Sequence, residues 1–254
     1  MKKKPVILIV MPAYNAGSML NKTIKDIKPG VAKEIIVVDD ASRDDTVQRA
    51  KKLGLTVYEH KTNKGYGGNQ KTCYTQALKR NPDCVVMLHP DYQYDSKRIP
   101  QLVKPILEGH YDIMLGSRIR TRQEVLEGGM PLYKYISNRF LTILENIVLG
   151  LNLSEYHTGL RAYSRTVLET LPFKSFSDDF VFDSQFLISS VYQGFTVGEI
   201  PVPVRYFPEA SSINFLRSVT YGVSTLTVLG QYVLARLHLY RDRIFKAREK
   251  RSVV

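Results

Sequence analysis

The chemistry of this chain gathers in short polar clusters that follow apolar runs. Asp91, Gln93 and Asp95 alternate after the run Val85–Leu88, so an extended backbone would put three oxygen-bearing side chains on one side. Magnesium and manganese favour such hard oxygens. Magnesium also fills much of its octahedron with water and substrate phosphate, so one carboxylate beside an amide suffices. Asp91 and Gln93 are therefore the expected metal ligands. Asp39 and Asp40 follow another apolar run and, as acceptor-only groups when ionised, suit the donor edge of a base or ribose. Against this stands helix capping by Asp40, Ser42 or Asp44; we expect Asp39 toward ligand and Ser42 or Asp44 as cap.

Gly65, Gly67 and Gly68 open a helix after Asn63-Lys64, where free N–H groups can approach an anion or nucleoside. Their spacing fits neither a phosphate loop nor a dinucleotide fingerprint. Arg118, Arg120 and Arg122, then Gly128-Gly129, then Lys134 and Arg139 form a basic group suited to a phosphate-bearing substrate, with the glycines allowing a mobile lid. A solvated basic loop is the equal alternative for Arg120 and Arg122. Asp178, Asp179 and Asp183 stand at the start of an apolar helix, as caps or as a catalytic base. His89, His110, His157 and His238 are scattered, no two at metal-ligand spacing, and only His89 lies inside a polar cluster.

The elements that must hold these groups are legible from periodicity. Val6–Val10, Glu34–Val38, Leu55–His60, Val85–Leu88 and Asp112–Leu115 are short Val- and Ile-rich runs separated by amphipathic helical stretches, the rhythm of a parallel α/β sheet. Ligands of such sheets bind beyond the carboxyl ends of the strands. Pro12-Ala13-Tyr14-Asn15, Asp39-Asp40-Ala41-Ser42, His89-Pro90-Asp91-Tyr92-Gln93 and Gly116-Ser117-Arg118 all sit there, so four strand ends address one crevice. Helices are expected over Pro131–Leu151 and Phe180–Tyr192, and an edge or bent strand over Phe195–Tyr206, interrupted by Pro201 and Pro203.

The end of the chain differs. Phe215, Val219, Val223, Leu226, Leu229, Val233, Leu237 and Tyr240 recur at helical spacing, and Arg241, Arg243, Lys246, Arg248, Lys250 and Arg251 follow. This cationic amphipathic helix suits an anionic membrane surface, packing on the domain, or a homo-oligomer interface. With 254 residues and 44% hydrophobic content, one main domain over residues 1–212 is expected, with residues 213–254 as appendage.

Cys73 and Cys84 show no paired spacing, which favours a reducing compartment. The N-terminus has about seven apolar residues before Pro12, too few for a spanning helix. The expected location is cytoplasmic, peripheral at the cytoplasmic membrane face. A net charge of +12 calls for polyanionic company. Nucleic acid is not the expected partner, because such a module would interleave aromatic and basic residues and need no metal-type carboxylates.

In combination and in order, Met11-Pro12-Ala13-Tyr14-Asn15, Val37-Val38-Asp39-Asp40-Ala41-Ser42, Asn63-Lys64-Gly65, Asp91-Tyr92-Gln93, Gly116-Ser117-Arg118 and Thr158-Gly159-Leu160-Arg161 resemble glycosyltransferase family 2. The likeness is strongest to its dolichyl- or polyprenyl-phosphate sugar transferase branch and spans residues 5 to 212. It implies an α/β, Rossmann-like nucleotide-diphospho-sugar transferase fold with a mixed, mostly parallel central sheet. It implies an inverting transfer from a nucleotide-diphosphate sugar, assisted by Mg2+ or Mn2+, to a polyprenyl or dolichyl phosphate. The alternative acceptor is a saccharide or other hydroxyl in cell-surface glycan synthesis, which would need a base, with Asp179 first in line.

By the same resemblance Pro12, Tyr14 and Asp39 contact the nucleoside, with Asn15, Asp40, Lys64 and Gly65 completing the donor site. Asp91 and Gln93 hold the ion at the diphosphate, and Arg118 with Lys134, Ser137 or Arg139 meets the acceptor phosphate. The family pattern has a further acid two positions before the metal Asp; here that position is His89, expected at the donor ribose or the ion. The branch also carries an Arg and a Gly before a Ser-Lys pair near the end of the domain, where this chain has Phe207-Pro208-Glu209-Ala210-Ser211-Ser212, and Arg205 is the substitute for that diphosphate contact. A nucleotidyltransferase would need an N-terminal glycine-rich loop with Arg and Lys, which Pro12–Gly17 lacks.

Overall fold

Strand alternation sorts the apolar residues into two cores. Leu8, Val10, Ile36, Val38, Val85 and Met87 face one side of the sheet; Ile7, Ile9, Met11, Val37, Val86 and Leu88 face the other. The computed structural model describes residues 4–119, 123, 125, 130–203 and 215–245. Its strands are β1 (Ile7–Ala13), β2 (Glu34–Asp39), β3 (Thr56–Glu59), β4 (Cys84–Leu88), β5 (Ile113–Ser117), β6 (Leu160–Ser164) and β7 (Val197–Pro201). They form one sheet in the order β3-β2-β1-β4-β6-β5-β7. All pairings are parallel except those of β6, which runs antiparallel to β4 and β5. The mixed, mostly parallel α/β sheet expected from the sequence is the one observed.

The helices are α1 (Gly17–Lys25), α2 (Thr46–Lys52), α3 (Gly65–Leu78), α4 (Ile99–Leu107), α5 (Leu132–Leu149), α6 (Arg165–Thr170), α7 (Phe182–Tyr192) and α8 (Phe215–Arg236). From β1 the chain moves outward through β2 and β3, then returns to place β4 on the other side of β1. The resulting switch point between β1 and β4 is where an open α/β sheet leaves a crevice. β1 continues past its last pairing with β4, at Val10, while keeping register with β2 through Ala13. Pro12, which has no N–H to donate, therefore sits where the β4 side needs none.

Two expectations change. β6 was not foreseen, because its second residue is Arg161, only 1% exposed, which breaks the apolar pattern of a buried strand. The second concerns the terminal helix, whose expected stripe is mostly outside: of its members Leu229 is buried, whereas Val219, Val223, Leu226, Val233 and Leu237 are exposed. The buried face is Thr225, Val228, Leu229, Tyr232 and Ala235; its four apolar members join the core shared with α7. Val228, Leu229, Tyr232, Ala235, Ile244 and Phe245 thus belong to a core that one face of the sheet also builds. Among the described residues, no helix is long and apolar enough to cross a membrane.

Candidate active site

At the carboxyl ends of β1 and β4 lies a cleft of about 1150 Å³, closed on its far side by α5 and the start of α8. Pro12, Tyr14, Asn15, Asp40, Gly65, His89, Asp91, Gln93, Arg118, Lys134, Ser137 and Asp179 line it, as the sequence anticipated. The cleft gathers them from seven separate segments.

Asp91 and Gln93 sit in a tight turn rather than an extended segment, because Tyr92 between them takes a left-handed φ of 60°. Both are buried, and one Asp91 oxygen, Oδ1, accepts the Gln93 amide at 3.1 Å. The other has no hydrogen-bond partner among the described residues. Burial pushes the Asp91 carboxyl above its ordinary 3.8, a rise that His89 beside it opposes. The turn overturns the expected alternation of three side chains on one side: Asp95 caps the short 3-10 helix Ser96–Arg98 through the Lys97 amide and does not line the cleft. Among the described residues no group of three or more His, Cys, Asp or Glu side chains could hold a metal. What the site offers a divalent ion is one hard carboxylate oxygen beside an amide, enough for an ion that takes its remaining ligands from phosphate and water.

His89 is held by a buried chain of hydrogen bonds. Tyr66 donates its hydroxyl hydrogen to Asp183 Oδ2 at 2.7 Å and lies 3.0 Å from His89 Nε2. Burial, then the Asp183 charge, hold the Tyr66 hydroxyl far above its usual pKa, so it stays protonated. With its one hydrogen directed at Asp183, it can only accept from His89, which makes Nε2 the protonated ring nitrogen. Burial also lowers the His89 pKa below 6.5, so the ring is neutral at pH 7. Asp183 itself is fixed by Gln70 at 2.9 Å and by the Arg161 guanidinium at 3.0 Å. It is an anchor rather than an available base. Gln70, Tyr66 and Arg161 went unnoticed as site residues because their contacts join α3, α7 and β6, which no sequence spacing relates.

Several expected ligand contacts are made by protein instead. Asp40 accepts the Lys64 and Gly65 amides, at 2.9 and 3.1 Å, and pairs with His60 at 2.6 Å, so it caps the glycine-opened helix α3. The Gly67 and Gly68 amides donate to the Asp178 carbonyl, and a Cβ on Gly67 would lie 2.3 Å from the Ser177 carbonyl oxygen. These glycines admit the 177–178 backbone rather than an anion. Lys64 is exposed and does not line the cleft. Asn15, with φ 50°, is tied to the Ser42–Arg43 loop through its amide and side chain. Asp39 accepts the Ser42 amide, and its other oxygen is buried without a partner; it lies behind the cleft wall, not on it. Asp44, as expected of a cap, binds the Gly17 and Thr46 amides at the starts of α1 and α2.

The basic group is reduced in a similar way. Arg118 is clamped by Glu155, fully buried, through its backbone N–H and guanidinium, and also reaches the His157 carbonyl at 2.6 Å. Arg139 donates to the Ser154 carbonyl and points away from the cleft. Lys134 faces the cleft from α5 and forms no salt bridge among the described residues; burial, then Arg118, hold its pKa below 10.5. Of the candidate bases, Asp178 pairs with Lys71, whereas Asp179 lines the cleft and accepts only the Phe180 amide next to it. Arg120, Arg122, Gly128-Gly129, Arg205, Phe207–Ser212 and the basic run from Lys246 lie outside the described residues.

The chain matches Glycosyl transferase family 2 over residues 8–171. It is 34% identical over 203 residues to an uncharacterized protein of Methanocaldococcus jannaschii, covering 80% of this chain and 83% of that one. It is 26% identical over 218 residues to the UDP-N-acetylglucosamine–dolichyl-phosphate N-acetylglucosaminyltransferase of Methanococcus voltae, covering 79% and 86%. Among solved structures, glucosyl-3-phosphoglycerate synthase from Mycobacterium tuberculosis has the same fold. Its complex with UDP aligns at TM-score 0.70 and 22% identity over 94% of this chain and 82% of that one. Its complex with Mn2+, UDP and glucosyl-3-phosphoglycerate aligns at 0.68 and 20%, over 94% and 81%. The matched segment holds β1 through β6, and with it most of the cleft: the chain is a glycosyltransferase and belongs to glycosyl transferase family 2.

Proposed function

We propose that this enzyme transfers a sugar, with inversion, from a nucleotide-diphosphate sugar to a polyprenyl or dolichyl phosphate, with Mg2+ or Mn2+ held at Asp91 and Gln93. The observation that carries the reading is Asp91: a buried carboxylate with one oxygen left open, set beside Gln93 at the crevice between β1 and β4. Leaving a buried carboxylate charged is costly unless a cation or donor group meets it. Bound there, the ion would neutralise charge developing on the departing diphosphate. The Mn2+ and UDP named with the solved relative support the same assignment.

Pro12, Tyr14 and Asn15 form the wall for the nucleoside, and Tyr14, 51% exposed, is free to lie against a base. Asp39, expected at the base, stands behind this wall next to Ala13 in the sheet register. His89, neutral and fixed by Tyr66, presents its unprotonated nitrogen to the donor. Lys134 and Ser137 on α5 receive the acceptor phosphate, and Arg118, held by Glu155, adds its field to theirs. A phosphate acceptor is already an anion at neutral pH and needs positioning rather than deprotonation. The name of the Methanococcus voltae relative supports a dolichyl phosphate. Asp179, which with Asp91 is a cleft acid without an ion pair among the described residues, supports hydroxyl transfer as the second reading.

A thermal-shift screen of nucleotide sugars with Mn2+, followed by transfer assays on isoprenyl phosphates and on saccharides, tests the proposal. Asp91→Ala and Gln93→Ala should each abolish Mn2+-dependent donor binding; donor binding that survives both substitutions refutes the metal site. Transfer to saccharides alone, lost in Asp179→Asn, would replace the lipid-phosphate reading with the second one.

A further inference from the structure

Exposed apolar side chains on this protein are concentrated on one face. Of the 18 large hydrophobic residues exposed among those described, 14 lie on α5, on α8 or in the turn just after it. On α5 they are Tyr133 and the stripe Leu132, Ile136, Phe140, Ile143 and Ile147, the last 73% exposed. On α8 the matching stripe is Leu216, Val219, Val223, Leu226 and Val233, continued by Leu237 just after it. Both have the spacing of a single helical face. The two helices pack side by side, with Leu141 against Gly222. Two such stripes on a packed pair of helices go far beyond the scattered apolar residues that soluble surfaces normally carry.

The same two helices line the cleft with their other faces. Lys134, Ser137 and Leu141 on α5, and Arg217, Ser218 and Tyr221 on α8, point into it. At about 100° per residue, positions 134, 137 and 141 centre about 125° round the helix from 136, 140 and 143. One pair of helices thus separates the acceptor side of the cleft from an outward apolar face.

Charge selects the occupant of that face. α8 contains no acidic residue, and the only one in α5, Glu145, is 1% exposed. Arg236 at the end of α8 and Arg241 just beyond it are exposed. Two copies of this chain meeting face to face would oppose cation to cation, whereas anionic phospholipid pairs with these cations while accepting the apolar stripe. Among the described residues, no helix is long and apolar enough to cross a bilayer.

We infer that α5 and α8 together form a docking face for an anionic lipid bilayer, and that docking holds the cleft mouth between them at headgroup level. The acceptor phosphate then enters between Lys134 and Arg217 while its hydrocarbon chain stays in the membrane. This second half rests on the lipid-phosphate reading; the docking face does not.

The test uses the full chain in flotation with phosphatidylcholine vesicles, with and without phosphatidylglycerol. Wild type should float with the anionic vesicles. A variant carrying Ile136→Ser, Phe140→Ser, Val223→Ser and Leu226→Ser, all at exposed positions, should lose that binding roughly tenfold or more. The charge reversal Arg236→Glu with Arg241→Glu should weaken anionic binding without any apolar change. Transfer to a short, water-soluble isoprenyl phosphate should be unchanged in the serine variant, and transfer to a long-chain acceptor in the vesicles should fall. Equal flotation of wild type and both variants overturns the inference. So does a dimer in light scattering that the serine variant dissociates while neither protein floats. Flotation lost in the serine variant, with no transfer by wild type to any isoprenyl phosphate, sustains the docking face and sinks the acceptor reading instead.

Discussion

Replacing Arg161 by Met should be among the most damaging single substitutions in this protein, although Arg161 does not line the cleft. The guanidinium is 1% exposed, pairs with Asp183 at 3.0 Å, and donates to the Thr158 and Tyr156 carbonyls at 2.7 and 3.2 Å. Burial alone would lower its pKa, yet the Asp183 carboxylate holds it well above the usual arginine value, so the charge is integral to the core. Methionine fills similar volume but leaves Asp183 ionised and buried with only Gln70 and Tyr66 as donors, and leaves two carbonyls unmet. Breaking a buried pair on one side costs about 3–5 kcal/mol. At about 2–4 °C per kcal/mol for a domain of this size, the midpoint should fall by about 6–20 °C. Urea unfolding followed by circular dichroism is the assay, since the chain has no Trp to report by fluorescence. Adding Asp183→Asn removes the stranded charge and should restore part of the loss, with a coupling of about 2 kcal/mol or more. Donor affinity should also fall, because Asp183 anchors Tyr66 and Tyr66 holds His89. A loss under about 1 kcal/mol for Arg161→Met, or additive effects in the double variant, would refute the reasoning.

Asp91→Asn should stabilise the ligand-free protein by about 0.5–2 kcal/mol while erasing the stabilisation given by Mn2+ with nucleotide sugar. The sign follows from the raised Asp91 pKa: its protonated form is favoured in the fold, so that contribution is lost as pH rises through the folded value and ionised Asp91 is a liability at pH 7. Differential scanning fluorimetry with and without ligands decides the matter, and an unchanged ligand shift defeats it. Lys134 should impose an alkaline limb on kcat/KM for the phosphate acceptor below the ordinary 10.5, because its lowered pKa means the ammonium is lost earlier as pH rises. Lys134→Arg should move that limb to higher pH; a limb that stays put assigns it elsewhere. Gly67→Ala should cost about 1–3 kcal/mol, since its Cβ would sit 2.3 Å from the Ser177 carbonyl oxygen and 2.8 Å from Phe182 Cβ. Gly230→Ala on α8, where nothing lies within 4 Å, should instead stabilise by about 0.5–1 kcal/mol in the same melts.

Much of the site was readable before folding because strand ends converge by topology alone. Apolar runs followed by Pro12–Asn15, Asp39–Ser42, His89–Gln93 and Gly116–Arg118 must open on one crevice once the runs are parallel and adjacent. The chain therefore determined by itself the strands β1 to β5, the place of the cleft and the pairing of Asp91 with Gln93. It also announced an amphipathic C-terminal helix, since an apolar repeat at helical spacing is a local property.

Which polar groups remain available inside the cleft was decided only by tertiary contacts. Asp40, Arg118 and Asp183 carry the same chemistry in sequence as Asp91, Lys134 and Asp179. His60, Glu155 and Arg161 engage the first three, and those partners arrive from 20, 37 and 22 positions away in the chain. A left-handed Tyr92 breaks the expected alternation of Asp91, Gln93 and Asp95, and a buried arginine conceals β6 from any apolar pattern. The outward face of α8 was likewise set by what packs behind it: periodicity defines an apolar stripe, but whether that stripe meets core or solvent depends on α5 and α7. Spacing along the chain fixes which side chains share a local face, whereas desolvation and charge pairing act on whatever the fold brings within a few ångströms.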